Sequence, residues 1–537
     1  LSIACGLLAG GAQAQVLPAI PNAGGVSNAN QRNQEVIQQQ TDTTFNGPLV
    51  VGPQAPETFV PPAGGATFLL KKVEFDHSEF ISAQELDALA APYIGRKVDN
   101  ADIQRLLKSV NDIYAERRVI TALAYLPKQD LSGGVLKVAM VEGKLGALSV
   151  KGNAVLPTQI VTDRIHPPVG AVINVPDLED DVAWFNKSHN AQVQASLQPG
   201  ASFGLTDVQL AVLEPHVNVL QIFTDNMGVE SVGQYEGGVN FQHYGLLGFD
   251  DKFTFYGVAS QGNYSANVAY NLAVNPWGGR VGVSATAGTI RVFEGAYALL
   301  GIKGRSDNVS VNLSQPVFVN ATWAALATGA LTKSDYQSNT QGVLETNNLT
   351  SKATVGVTLS YTSAPFQASI SPTYSFARTE FAAELPRATE FFEAFNGVYA
   401  ASLRLPQEFN MTLAGGSQWA SKKLLSGDQL FQIGGPTTVR GYPTNAVAGY
   451  AGYYANLELH HGLNQVLEGL DVFGFYDNGM IFSTYPRSVT MNSVGAGLSW
   501  DTHKYVTTDL SFGVPLTKAV NNQGQLYFYY RITAKFD

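Results

Sequence analysis

Lys252-Phe-Thr-Phe-Tyr-Gly-Val-Ala259, followed after a short turn by Tyr264-Ser-Ala-Asn-Val-Ala-Tyr-Asn-Leu272, decides the fold. Successive side chains of a strand point to opposite faces. Phe253, Phe255, Ala266, Val268, Tyr270 and Leu272 therefore share one face, and Ser265, Asn267 and Asn271 lie on the other. Soluble sandwiches alternate in the same way, so composition has to choose. Charged residues make up 14% of the 537 positions, and glycine supplies 53 of them. Soluble domains average about 25% charged residues and about 7% glycine. An apolar outer face and a polar interior that cancel in mean hydropathy describe a transmembrane β-barrel. The chain has no apolar run of about 18 residues, so a closed barrel is the one way it could span a bilayer.

Turn-punctuated alternation of this kind runs on to the closing stretch, where Leu526, Phe528, Tyr530, Ile532, Ala534 and Phe536 face outward. At roughly 20 residues per strand and connection, residues 216–537 accommodate about sixteen antiparallel strands. The formal net charge of −10 argues against nucleic acid as a partner. The single cysteine, Cys5, excludes an intrachain disulfide and any cysteine-cluster metal site. No phosphate-binding loop, metalloprotease helix, nucleophile elbow or calcium loop is present, so neither a nucleotide nor any other cofactor is expected, and no catalytic residue. Adjacent His460 and His461 fall on opposite faces of a strand and cannot chelate one metal together. Asp250-Asp251 reads as a solvated hairpin turn.

Outside the barrel the chain divides into four parts. Residues 1–14 are small and apolar and end in Ala12-Gln13-Ala14, the remnant of a signal peptide. Residues 15–66 carry a Gln-rich polar helix over about 27–40, including Asn28, Gln31, Gln34 and Gln38, and then a Pro-rich extended linker. The helix has few apolar anchors and reads as solvated, free to dock at a distance or to remain disordered. Its polarity all round suits a water-filled channel, so it is expected to thread the barrel lumen as a plug. Residues 67–143 give the order β-α-α-β-β, with a capping box at Ser82-Ala-Gln-Glu85 and a helix bearing Ile103, Leu106, Leu107, Val110 and Tyr114. Residues 144–215 repeat that order.

Two such units ahead of a barrel resemble POTRA domains, and two motifs sharpen the resemblance. Val439-Arg440-Gly441-Tyr442 matches the V-R-G-[FY] motif of the sixth extracellular loop in the superfamily of barrel insertases and two-partner secretion transporters. Phe475-Tyr476-Asp477-Asn478-Gly479 matches its F-x-D-x-G motif, with Phe475, Asp477 and Gly479 as the matching positions. Phe185-Asn186-Lys187 and the hairpin beyond it resemble the second POTRA domain of the secretion transporters, although Ser188-His189-Asn190 departs from the usual Asn-Pro and Arg. The chain is identified as a member of the two-partner secretion family. That implies residence in the bacterial outer membrane, POTRA domains in the periplasm, and lipid and the barrel-assembly machinery among its partners. It implies secretion of a large, unfolded haemagglutinin, haemolysin or adhesin, captured by strand addition to an open POTRA sheet edge. A barrel insertase and a diffusion porin are the alternatives. An arginine facing lipid costs several kcal/mol, so Arg440 should turn inward on a loop around 433–452 and meet Asp477 in a charge-assisted contact.

Overall fold

The computed structural model describes residues 20–39, 48–51, 67–383, 386–423, 425–482, 488–502, 505–521 and 523–537. The signal-peptide segment, Gln40 and most of the linker lie outside the described residues.

The first helix, α1, covers Ala23–Gln39, starting four residues before the Gln-rich stretch. It is not solvated throughout, which corrects the reading from composition: Ala23, Val26, Ala29 and Ile37 are buried, together with Asn30 and Asn33. Beyond it, Val50–Val51 forms strand β1.

The first α/β unit comprises β2 (Phe68–Leu69), β3 (Lys72–Phe75), α2 (Ala83–Ala90), β4 (Lys97–Val98), α3 (Asn100–Glu116), β5 (Ala122–Tyr125) and β6 (Val135–Glu142). Ser82 and Asp99 cap the two helices reciprocally with Glu85 and Asp102. Residues 68–75 divide between two strands. Leu70 and Lys71 donate to Arg96 and Gly134, so β2 pairs with β4 while β3 pairs with β6. The second unit contains β7 (Lys144–Lys151), α4 (Thr158–Thr162), α5 (Val175–Ser188), β8 (Gln192–Pro199) and β9 (Leu205–Leu213). Its sheet order is β1-β8-β9-β7. The linker's Val50 and Val51 lie parallel to Ala195 and Ser196, so the β8 edge is occupied rather than open.

The barrel closes with sixteen strands in the order β10-β11-β12-β13-β14-β15-β16-β17-β18-β19-β20-β23-β24-β25-β26-β27. Its first six are β10 (Asn218–Asp225), β11 (Glu236–Tyr244), β12 (Lys252–Ala259), β13 (Asn263–Ala273), β14 (Arg280–Arg291) and β15 (Lys303–Val319). Then come β16 (Trp323–Thr340), β17 (Val343–Ser363), β18 (Phe366–Phe381), β19 (Ala388–Arg404) and β20 (Phe409–Ala420). The last five are β23 (Ala451–Gly462), β24 (Leu470–Ile481), β25 (Val489–Thr502), β26 (Val506–Pro515) and β27 (Tyr527–Phe536). Between β20 and β23 a long loop makes its own ribbon from β21 (Phe431–Ile433) and β22 (Val447–Gly449).

Leu220–Asp225 pairs with Arg531–Phe536 to close the seam. Asn226 bridges the same seam, donating to the Phe528 carbonyl at 2.8 Å and accepting from the Tyr530 N–H at 2.8 Å. The outer face carries Tyr264, Val268, Leu457, Phe528, Ile532 and Phe536, all exposed. Exposed apolar side chains on that scale are tolerable only against lipid.

Candidate functional site in the barrel lumen

The long loop turns back into the barrel, and its tip meets β24. Arg440 donates from its backbone N–H (2.9 Å) and from Nε (2.8 Å) to Asp477 Oδ2, and from Nη2 to Oδ1 (2.7 Å). Its Nη1 lies 2.6 Å from Glu458 Oε1 on β23. The guanidinium carbon sits 3.5 Å from the centre of the Phe475 ring. Asp477 is fully buried and Arg440 is 7% exposed. A planar fork that faces two carboxylates and an aromatic face uses every feature that separates arginine from lysine.

The neighbours of Arg440 hold the tip rigidly. Val439 and Tyr442 pack into an apolar cluster with Ile433, Ile481, Met491 and Val520. The Tyr442 hydroxyl lies 2.8 Å from the Asn492 carbonyl and 2.9 Å from the Thr517 carbonyl. Gly441 has φ of +80° and donates to the Tyr529 hydroxyl, and a Cβ there would come within 3.1–3.2 Å of Pro515 and Gly513. At Gly479 a Cβ would come within 2.7 Å of the Val439 side chain. Both glycines mark close backbone approach.

Glu458 belongs to this cluster although sequence reasoning passed over it. His460 sets its carboxylate, with Nε2 2.8 Å from Glu458 and Nδ1 2.6 Å from Asp471. The signal was present: Leu457 and Leu459 must face lipid, which turns Glu458 and His460 inward.

The second occupant of the lumen is α1, between the loop and the wall made by β13–β17. Arg32 donates to Asn445 (2.9 Å) and Thr437 (3.3 Å), and Asn28 to the Asp428 carbonyl (3.2 Å). On the wall side Gln34 donates to Asn267 at 3.1 Å, while Asn30 and Asn263 meet at 3.4–3.5 Å. Among the described residues no ion pair ties α1 to the barrel or the loop. Gln31 and Gln38 line a cavity of about 480 Å³ beside the helix.

A sequence profile for the haemolysin secretion/activation proteins ShlB/FhaC/HecB matches residues 204–501, and one for the ShlB-type POTRA domain matches residues 68–143. The chain belongs to the ShlB/FhaC/HecB family. Its similarity to the outer membrane transporter CdiB of Dickeya dadantii is 27% identity, covering 91% of this chain and 90% of the relative. It is 22% identical to the heme/hemopexin transporter protein HuxB of Haemophilus influenzae, with 88% of each chain covered. The solved structure of CdiB from Escherichia coli superposes with a TM-score of 0.71 at 20% identity, covering 98% of this chain and all of that one. This family member is thus an outer-membrane transporter of the two-partner secretion type, with its POTRA domains in the periplasm.

That orientation places the short turns touching the second POTRA domain at the periplasmic rim. Asp250 and Asp251 sit there, and the structure corrects the solvated-turn reading: they are 1% and 0% exposed. Asp251 accepts the Leu247 and Phe249 N–H groups and the Tyr270 hydroxyl. Asp250 binds the POTRA domain itself.

Proposed function

We propose that α1 and the Arg440 loop divide the work of closing the pore: the helix is the removable plug and the loop a permanent partition. The observation that carries this reading is the inequality of their attachments. The loop is held by a buried, bidentate ion pair with a second carboxylate behind it. The helix is held by neutral acceptors, several of them at long range. Neutral hydrogen bonds contribute about 0.5–1.5 kcal/mol each and those from the charged Arg32 about 1.5–3 kcal/mol, whereas breaking one side of a buried ion pair costs about 3–5 kcal/mol.

The cargo is a large, unfolded partner protein, and the POTRA sheets capture it by adding a strand. The β8 edge already accepts one, since the Ala195 N–H donates to the Leu49 carbonyl at 2.9 Å. The β5 edge is blocked at Ala124, whose N–H and carbonyl are both taken by the Asn111 amide. Cargo therefore takes the β8 edge in place of the linker, and movement of the linker frees α1 to leave. Lipid surrounds the barrel, and the barrel-assembly machinery inserts it. The continuous pairing at the seam, stapled by Asn226, favours secretion over the insertase reading.

Deleting residues 20–39 tests the plug. Single-channel conductance in planar bilayers should rise several-fold, and unchanged conductance would contradict the reading.

A further inference from the structure

A buried carboxylate is central to the contact between the second POTRA domain and the barrel rim. Asp250 lies in the β11–β12 turn with φ of +52°. Its side chain accepts the Asn190 N–H at 2.9 Å, the Ala191 N–H at 3.3 Å and the Tyr244 hydroxyl at 3.1 Å. Arg280 of β14 donates to the same carboxylate at 2.5 Å, to the Asp250 carbonyl at 2.7 Å and to the Ser188 carbonyl at 3.4 Å. The Asn190 amide returns to the Asp250 carbonyl at 2.7 Å. One acid thus joins the end of α5, the start of β8 and two barrel strands. Around it, Trp184 donates to the Trp277 carbonyl, and Asp180 accepts the Ala321 N–H, at two further rim turns.

The residues so gripped, Asn190 and Ala191, directly precede β8, the edge on which the linker strand lies. We infer that Asp250 is a positioning residue for secretion, fixing the β8 edge over the barrel mouth so that a chain added to it is aimed into the lumen. This rests on the proposal that cargo is added at β8. An extended chain rises about 3.3 Å per residue, so a rocking domain would spread the leading residues across the rim instead of presenting them to the pore. Substitution of Asp250 leaves the β8 edge itself intact, so capture and delivery should separate.

The test uses the full-length transporter carrying Asp250→Asn, which keeps the side-chain shape and loses the charge. Binding of an unfolded N-terminal cargo segment should stay within about twofold of the parent. Secretion should fall about tenfold, while the barrel remains inserted and heat-modifiable. Spin labels on the second POTRA domain and on the barrel rim should give a broadened distance distribution. Arg280→Lys should show the same pattern more weakly. If the distances broaden and secretion is unchanged, or if the distances stay narrow, the positioning role is overturned. If instead segment binding is lost in the parent when the β8 edge is blocked by a disulfide to the linker, capture at β8 stands whatever Asp250 does. If binding survives that block, the capture reading fails, separately from the clamp.

Discussion

The two sides of the lumen are built from different chemistry. On the side of β23, β24 and the seam stand the ionisable groups: Asp477, Glu458 and His460, with Asp225 and Arg531 paired at 2.9 Å across the barrel closure. On the side of β13–β18 the wall is neutral apart from Lys352, and its hydroxyls and amides bond to one another. Asn267 reaches Thr286, Ser310 reaches Thr332, Thr354 reaches Ser375 and Thr358 reaches Ser371. Of the barrel-wall residues around the cavity beside α1, Lys352 is the single charged one. A wall whose polar groups satisfy each other offers little to a guest, whereas a buried charge without its partner is costly. The loop rests against the charged side, and the helix lies between the loop and the neutral wall. In the proposed reading, the permanent and the removable parts thus differ in what they touch.

Breaking the charged side should give the largest effect. Arg440→Ala removes one partner of a buried pair, at about 3–5 kcal/mol. Secretion should be abolished and the loop should become accessible to an added protease, with the barrel still in the membrane. The double variant Arg440→Ala with Asp477→Ala should be less damaging to barrel heat stability than either single change, because no charge is left stranded. Arg440→Lys should fail in part, since an ammonium lacks the planar fork.

Glu458→Gln probes the second arm. The bidentate contact with Asp477 remains, so the loss should be about 1–2 kcal/mol, read as a lower temperature for loss of heat-modifiable mobility and a partial secretion defect. Where the helix meets the loop, Arg32→Ala removes the bonds to Thr437 and Asn445 and should raise the frequency of open-channel events a few-fold while leaving the loop protected from protease. An equal loss of loop protection would mean that helix and loop move together.

The smallest effect expected is one of pH at the rim. Burial lowers the pKa of His189, which stacks on Phe185 with ring centres 4.1 Å apart. Its stabilising contribution is complete above the ordinary histidine value and is lost as pH falls through the depressed folded one. The junction between the second POTRA domain and the barrel should therefore loosen as pH falls below the ordinary histidine value of about 6.5, seen as faster proteolysis at Ser188–Asn190. His189→Phe should remove that dependence.

Much of this was legible in the sequence, for physical reasons. Period-two alternation with few charges gave the barrel and the outward face of β27, because lipid enforces that pattern at every strand. Arg440 and Asp477 were legible because each belongs to a motif and neither tolerates lipid. Glu458 was not read, and Asp250 was misread as solvated. Their roles depend on strand pairing and on a domain docked far away in sequence, and an acid in a turn looks the same solvated or buried. The packing of α1 was missed because its few apolar residues, Val26 and Ile37, find small separate clusters instead of one core. The linker strand at Val50–Val51 was hidden within a Pro-rich stretch whose composition reads as extended chain.

One measurement tests the central division between mobile helix and fixed loop most directly. Two disulfide pairs are introduced separately into the transporter, Gln34→Cys with Asn267→Cys to tie the helix to the wall, and Thr438→Cys with Asn456→Cys to tie the loop to β23. Secretion is then compared under oxidising and reducing conditions. The helix lock should stop secretion until reductant is added, and the loop lock should leave it unchanged in both conditions. Secretion that persists through the helix lock, or that stops with the loop lock, would contradict the account.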